Sequence, residues 1–298
     1  MELLVVIAVI AILMALLLPG LMSVQRSAKE AAAVAEITQI RTAIANFKAT
    51  FGVEPPSHIT LWVDQAGWDA PGAAEDKATI MRLWPNFDFS NTSYGWSSPV
   101  HLSGAECLCF FLGGIQDPGW FVTGFSKDPA HPFKSQSGDT RDGPFLEMKS
   151  GPFFETVVGG NKVSGGRLVD RDQDGMLEFC DLFNHGMPYI YVSGREGRGY
   201  VNSDAIVFTD TGSPAPNDMA RVYLNQSGTA MNSQGYQIIC AGADGEYGLG
   251  GPYDESLSWA TIVSADSTVL PANKQDVITA RQRFESDNIT NFRNKRLK

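Results

Sequence analysis

The feature that most constrains this chain is an uncharged, apolar run close to its N-terminus. From Leu3 to Gln25 no residue carries a charge, and the run has the sequence LLVVIAVIAILMALLLPGLMSVQ. About twenty such residues are enough to cross a lipid bilayer as a helix. The residue before the run is the acidic Glu2, and no A-x-A site closes the run, so it differs from a cleaved secretory signal. We predict that residues 3–22 span a membrane.

A helical pattern continues beyond the apolar run with a different character. Apolar residues recur every three or four positions, which is the period of an amphipathic helix: Val34, Ile37, Ile40, Ile44, Phe47 and Phe51. Charged residues occupy other positions of the same stretch: Arg26, Lys29, Glu30, Glu36, Arg41 and Lys48. Gly52 and the Pro55-Pro56 pair end the pattern. Residues 2–51 are therefore predicted to form one helix, roughly 75 Å long at 1.5 Å per residue, with an amphipathic half over 26–51.

Two residues in the apolar half are unusual for a membrane helix. Pro19 removes one backbone hydrogen bond and loosens the turn before it. The carboxylate of Glu2 is costly to bury in lipid. Two interpretations stay open for Glu2: it lies among the lipid headgroups, or an N-terminal amine of its own chain or of a neighbour neutralises it.

Residues 52–298 are predicted to form a globular head, which makes the chain an α+β protein. Short strand-like runs are separated by Gly, Pro, Asn and Asp, and the clearest lie at 120–125, 188–193, 205–210, 221–225 and 236–241. No βαβ alternation is visible, which favours an antiparallel sheet. Residues 103–112 are predicted to form a short helix ended by Gly113-Gly114. The net charge of −10 makes nucleic-acid binding unexpected.

The segment from Glu2 to Gly52 resembles the N-terminal helix of type IV pilins and type II secretion pseudopilins. In that family a methylated Phe opens the mature chain, and Thr-Leu-Ile-Glu and an apolar run follow. Glu2 matches the family's Glu, and Pro19 matches its helix-loosening Pro. Only Met1 precedes Glu2, so we expect Met1 to differ from the native mature N-terminus. Three later stretches are similar to the major pseudopilins, with an insert over roughly 250–286 between the last two: DLFNHGMPYIYVSG, YQIICAGADGEYG and DNITNF.

The resemblance implies a fold, an assembly and a set of partners. The pilin fold packs a long N-terminal helix on an antiparallel sheet, here with loop-rich insertions. In the filament Glu2 would neutralise the N-terminal amine of a neighbouring subunit, while Pro19 and Gly20 would let the helix unwind partly during packing. The implied partners are further copies of the chain as a homopolymer, a prepilin peptidase, an inner-membrane platform protein and an assembly ATPase. The implied location is the bacterial inner membrane before assembly and a periplasmic or extracellular filament afterwards.

We therefore expect a structural subunit similar to a major pseudopilin of a type II secretion system. A type IV pilus subunit for adhesion or motility is the close alternative. The alternative of another class is a membrane-anchored extracytoplasmic hydrolase or calcium-dependent binding module. The chain contains no G-x-S-x-G, P-loop, G-x-G-x-x-G or H-E-x-x-H motif, so we do not expect an enzyme.

Two groups of acidic residues are candidate calcium ligands. Asp170, Asp172, Asp174 and Gly175 open a D-x-D-x-D-G loop of the kind that presents hard oxygens to calcium; the Met176 carbonyl, Glu178 and Asp181 would complete it. The alternative is a solvated acidic turn, because no amphipathic helices flank the loop. The resemblance implies a second site, in which a G-x-D-G loop and the C-terminal region share one calcium ion through Asp244 and Asp287.

The remaining chemistry-bearing residues give weaker signals. An extracytoplasmic location permits disulfides, and two readings stay open for the four cysteines: Cys107 or Cys109 is linked to Cys180 or Cys240, or all four are free and buried. The four histidines are predicted to lie in surface loops. A basic tail is expected to be solvated or to pair with an acidic face of an adjacent subunit: Arg293, Lys295, Arg296 and Lys298.

Overall fold

The computed structural model describes most of the chain: residues 2–90, 96, 98–116, 122–134, 140–148, 155–158, 161–164, 167–170, 175–183, 185–205, 219, 221–266, 273–293, 296 and 297. Within these ranges the helices are α1 (Glu2–Phe51), α2 (Gln65–Trp68), α3 (Ala74–Leu83), α4 (Gly104–Gly113), α5 (Trp259–Ala265) and α6 (Lys274–Phe284). The strands are β1 (Ile59–Leu61), β2 (Val100–Leu102), β3 (Phe125–Ser126), β4 (Arg141–Asp142), β5 (Glu155–Val158), β6 (Asn161–Ser164), β7 (Leu168–Val169), β8 (Glu178–Phe179), β9 (Ile190–Ser193), β10 (Tyr223–Leu224), β11 (Tyr236–Cys240), β12 (Gly251–Pro252) and β13 (Ile289–Thr290).

Helix α1 has the bounds that the sequence pattern predicts. It ends where Gly52 adopts a φ of +78° and its N–H closes the last turn on the Lys48 carbonyl, 2.8 Å away. Its C-terminal half buries a stripe with helical spacing, which matches the predicted amphipathic face: Ala33, Ile37, Ile40, Ala43, Ile44 and Phe47. Val34 and Phe51 pack partly buried at the edge of the same core. The apolar side chains that recur with the helical period therefore hold α1 on the head.

The sheet beside α1 has three antiparallel strands in the order β13-β11-β9. Strand β11 is central: Ile239 lies opposite Ile190 of β9 on one side and opposite Thr290 of β13 on the other. The predicted strands at 188–193 and 236–241 are confirmed as β9 and β11. The sheet contributes Tyr191, Ile238, Cys240 and Ile289 to the core that also holds the α1 stripe, and Tyr189, directly before β9, belongs to the same core. The chain is thus α+β, as expected.

Helix α4 is buried along its whole length between α1 and the sheet region. It begins with a capping box: Ser103 N donates to Glu106 Oε2 at 2.6 Å, and Glu106 N donates to Ser103 Oγ at 3.4 Å. It ends at Gly114, whose φ is +93°. The predicted helix over 103–112 is therefore confirmed, and its capping residues explain where it starts.

Two parts of the head differ from the sequence-based expectation. Helices α5 and α6 lie within the predicted insert and pack on each other. Strands β10 and β12 pair in parallel, with Tyr223 opposite Gly251, so the described pairing is not wholly antiparallel. These elements surround a second cluster of buried side chains that includes Tyr223, Tyr253 and Trp259. The predicted strand at 205–210 lies almost wholly outside the described residues.

Candidate functional site

The described large apolar side chains in the N-terminal half of α1 lie outside the head. Between positions 6 and 24 they are 46% to 68% exposed: Val6, Ile7, Ile10, Ile12, Leu13, Met14, Leu21, Met22 and Val24. A group of exposed apolar side chains on one helix marks an interaction site. Glu2, Pro19 and Gly20 belong to the same helix, but only their helical backbone is described.

Among the residues that the structure describes, no helix has the length and hydropathy needed to span a membrane.

A buried ion pair joins the C-terminal half of α1 to the head. Both Nη atoms of Arg167 donate to the Glu36 carboxylate, with Nη2 2.7 Å from Oε2. Tyr189 donates its hydroxyl to the same Oε2 at 2.5 Å. Arg167 is 6% exposed and also donates from Nε to the Cys180 carbonyl at 2.9 Å. The guanidinium lies 4.4 Å from the Phe179 ring centroid.

The role of Glu36 is one that the sequence pattern does not predict. Glu36 lies one residue from Ile37 and four from Ile40, so it is at the edge of the buried stripe. This position beside the buried stripe is the one sign in the sequence that Glu36 contacts the head. An acidic side chain at such a position needs a cationic partner once the helix packs on the head. The partner, Arg167, is 131 residues away in the chain.

A second polar contact lies nearer the apolar half of α1. Asp287 Oδ2 accepts hydrogen bonds from Ala243 N at 2.8 Å and Asp244 N at 3.2 Å. The same oxygen lies 3.3 Å from Arg26 Nη2 of α1. Burial raises the pKa of Asp244 to about 7, and the neighbouring Asp287 carboxylate acts in the same direction. The structure therefore brings the predicted pair Asp244 and Asp287 together.

Asp287 also has one oxygen without a partner. Its Oδ1 is buried and accepts no hydrogen bond within the described structure. A buried carboxylate oxygen in that state is costly unless a cation or a donor group approaches it.

The first predicted calcium loop is described only in part. Asp170 is buried, and its Oδ2 accepts a hydrogen bond from Gly175 N at 3.1 Å. Gly175 has a φ of +99°, which provides the predicted chain reversal. Asp172 and Asp174 lie outside the described residues.

The remaining predicted ligands of that loop lie within the head. The Met176 side chain belongs to the apolar core, and Glu178 is buried in β8. Asp181 Oδ1 accepts a hydrogen bond from Phe183 N at 3.0 Å, while the Cys240 thiol donates to Oδ2 at 3.4 Å. Burial raises the pKa of Asp181 to about 7. Among the described residues, no group of three or more His, Cys, Asp or Glu side chains is arranged to hold a metal ion.

The cysteines are free and buried, which settles the two readings in favour of unpaired thiols. Burial raises the pKa of the Cys107 and Cys240 thiols well above the ordinary value. His131 is partly exposed and contacts the carboxylates of Asp88 and Asp128 at 3.5 and 2.9 Å. These cysteines and this histidine show the features of structural residues.

The basic tail differs from the expectation of a solvated cluster. The Arg293 side chain is 7% exposed and lies 3.2 Å from Glu255 Oε2 through Nη2. Arg296 is nearly half exposed and lies 3.5 Å from Glu30 of α1. Lys295 and Lys298 lie outside the described residues. The charge run therefore contains one buried arginine that the sequence pattern does not distinguish.

Helix α6 carries a further buried ion pair beside the Asp287 turn. Arg281 and Glu285 are both fully buried, and Arg281 Nη2 lies 3.0 Å from Glu285 Oε2. Glu285 Oε1 also accepts from Leu249 N at 2.9 Å and Gly250 N at 3.1 Å. Burial raises the pKa of Glu285 despite the neighbouring arginine. The pair fixes α6 against the loop that precedes β12.

Comparisons of the chain with models of known protein families, with curated proteins and with solved structures found no match.

Proposed function

We propose that this protein is the structural subunit of a helical filament, assembled as a homopolymer from an inner-membrane precursor. Within that class we propose a major pseudopilin of a type II secretion system, with a type IV pilus subunit as the alternative. The resemblance of the N-terminal segment to pilins supports the class, and the G-A-D-G loop near Asp244 supports the major pseudopilin.

The observation that carries the proposal is the division of α1 into two unlike halves. The C-terminal half is fixed to the head by a buried apolar stripe and by the Glu36–Arg167 ion pair. The described large apolar side chains of the N-terminal half are exposed, and the described part of the head does not cover them. Such a surface favours burial, first in lipid and then against the same helix of other copies. We prefer a polymerising subunit to an anchored hydrolase because the same helix also resembles the N-terminal helix of pilins.

Electron microscopy of cells that overproduce the protein tests the proposal directly. We expect filaments from the unaltered chain and from the control Glu30→Gln, which changes an exposed ion pair on the same helix. We expect Glu2→Leu to abolish filaments while the protein remains in the membrane fraction, because the proposed register contact with a neighbouring amine is lost. Dispersed monomers from the unaltered chain would contradict the proposal, and normal filaments from Glu2→Leu would contradict the register role.

A bound calcium ion is the second part of the proposal. Asp244 and Asp287 are adjacent, and Asp287 has a buried oxygen that lacks a donor, so this pair offers hard oxygen ligands. Calcium would stiffen the loop at 242–245 against the C-terminal turn. We expect calcium to raise the melting temperature relative to EDTA, magnesium to do so less, and Asp287→Asn to remove most of the difference. The same melt with Asp170→Asn tests the D-x-D-x-D-G loop. A melting temperature that calcium does not change would exclude both sites.

A further inference from the structure

Arg293 is the residue whose surroundings the proposed filament does not explain. It follows β13 in a basic tail, yet only 7% of its side chain is exposed. Its Nε and Nη1 atoms are buried and find no hydrogen-bond acceptor in the described structure. A guanidinium has five N–H groups in a planar fork, and leaving several of them buried and unpaired is costly. Arg293 can therefore still bind a hydrogen-bond acceptor from outside the described structure.

Arg293 lines a cavity of about 510 Å³ on the surface of the head. Tyr253, Met231 and Phe292 provide apolar walls, and the turn at 225–227 provides a polar rim. Tyr253 lies 5.5 Å from the guanidinium carbon, measured to the ring centroid, and its hydroxyl is also buried without a partner. A concave site with apolar walls and a few placed polar groups is the ordinary form of a small-ligand site.

The hydrogen-bond balance of the cavity indicates what kind of ligand fits. Two rim side chains already accept hydrogen bonds: Asn225 Oδ1 accepts from Ser227 N at 3.0 Å, and Asp254 accepts from Gln226 and Ser256. Within the described structure, the cavity-lining groups without a partner are Arg293 Nε, Arg293 Nη1 and the Tyr253 hydroxyl. The cavity therefore has unsatisfied donors, and it favours a ligand that accepts hydrogen bonds.

The charges narrow the ligand further. Asp254 and Glu255 lie on the same cavity, so a dianion such as phosphate would face two carboxylates with a single arginine in its favour. A carboxylate matches the arginine fork with one charge, and the apolar walls suit a hydrocarbon body. Glu255, whose side chain is 61% exposed, already places one carboxylate against Arg293 Nη2. We propose that this cavity binds a monocarboxylate with an apolar body, and that Glu255 competes for the arginine from within the chain.

Either of two molecules can supply the carboxylate: a free small acid, or a second copy of the chain through an acidic side chain. Titration of the full chain in detergent micelles with phenylacetate, followed by NMR of the protein, tests the site itself. We expect a dissociation constant on the order of 1 mM, at least tenfold weaker binding of phenylacetamide, and loss of binding in Arg293→Gln. Arg296→Gln is the matched control from the same tail and should bind normally.

A second variant keeps the proposal testable if Arg293→Gln unfolds. Glu255→Gln changes an exposed residue and removes the internal competitor, so it should bind phenylacetate about twofold to fivefold more tightly. Sedimentation distinguishes the source: if a second copy supplies the carboxylate, phenylacetate reduces self-association, whereas with a free acid as ligand self-association does not change. No binding by either the unaltered chain or Glu255→Gln, or equal binding of acid and amide, would overturn the proposal. These outcomes are independent of whether filaments form.

Discussion

Removal of the Glu36 carboxylate tests how the long helix is held to the head. In Glu36→Ala, Arg167 stays buried and keeps only its bond to the Cys180 carbonyl, while the Tyr189 hydroxyl loses its acceptor. Breaking a buried ion pair by removing one partner costs about 3–5 kcal/mol. The Glu36 side chain keeps 14% of its exposure, so water can partly replace it, and we expect about 3 kcal/mol. Glu36→Gln retains one acceptor oxygen and should cost roughly 2 kcal/mol.

The measurement is urea unfolding of the full chain in detergent micelles, followed by near-ultraviolet circular dichroism. The signal reports the aromatic cluster around Phe47, Trp84 and Phe125, which belongs to the core under α1. Glu30→Gln is the matched control, because Glu30 lies on the same helix but its two partners, Arg26 and Arg296, are each about half exposed. An exposed pair contributes at most about 1 kcal/mol.

A double variant separates the ion pair from general damage to the helix. In Glu36→Gln combined with Arg167→Met, neither charge remains buried, so much of the lost stability should return. The reasoning is refuted if Glu36→Ala lowers the free energy of unfolding no more than Glu30→Gln does. It is also refuted if the two changes in the double variant are simply additive, because independent sites would behave in that way.

Two further predictions concern the head. Gly104→Ala should destabilise the protein by about 2 kcal/mol or more, since a Cβ at this position would lie 2.6 Å from the Asp204 carbonyl oxygen and closer still to that of Tyr191. Thermal melting measures the loss of stability. Ser103→Ala, which removes a helix cap and should cost about 1 kcal/mol, serves for comparison. Burial raises the pKa of Tyr191 and Tyr223 well above the ordinary value, so their neutral forms support the fold below about pH 10 and this stability is lost as the pH rises further. Absorbance at alkaline pH should show that both phenols ionise only on unfolding; reversible ionisation near pH 10 in the folded chain would contradict it.

Local patterns made some elements predictable. The stripe around Ile37 and Ile40 follows the period of one helix, and the Ser103–Glu106 capping box is contained in four residues. Strands β9 and β11 are short apolar runs between turn residues. Each of these signals can be recognised without knowing what the element packs against. The residues that bury one face or cap one end of an element lie close together in the sequence.

Elements held by distant polar partners were not predictable in this way. Helix α6 buries Ile278 and Arg281, so its inner face carries a charge and shows little apolar period. The Glu36 side chain finds Arg167 only after folding, and Arg293 sits in a charge run that resembles a solvated tail. Sequence periodicity reports hydrophobic burial. It misses the Arg281–Glu285 pair because that pair buries charge at the end of one helix, and it misses Glu36–Arg167 and Arg293–Glu255 because their partners are far apart in the chain.

Two of the ion pairs between α1 and the head, Arg26–Asp287 and Glu36–Arg167, affect how the apolar half of the helix is oriented. Arg26, which meets Asp287, and Glu36, which meets Arg167, are separated by about 15 Å along the axis and by about 80° around it. An apolar stripe alone resists separation but only weakly resists sliding or rotation, because hydrophobic contacts are not directional. A forked arginine–carboxylate pair is directional. The forked Glu36–Arg167 pair and the single Arg26–Asp287 contact lie at different heights and angles, so together they fix both the height and the rotation of the helix on its head. They thereby fix the direction in which the described apolar side chains of the N-terminal half point. Loss of either contact should disturb that orientation before it unfolds the head.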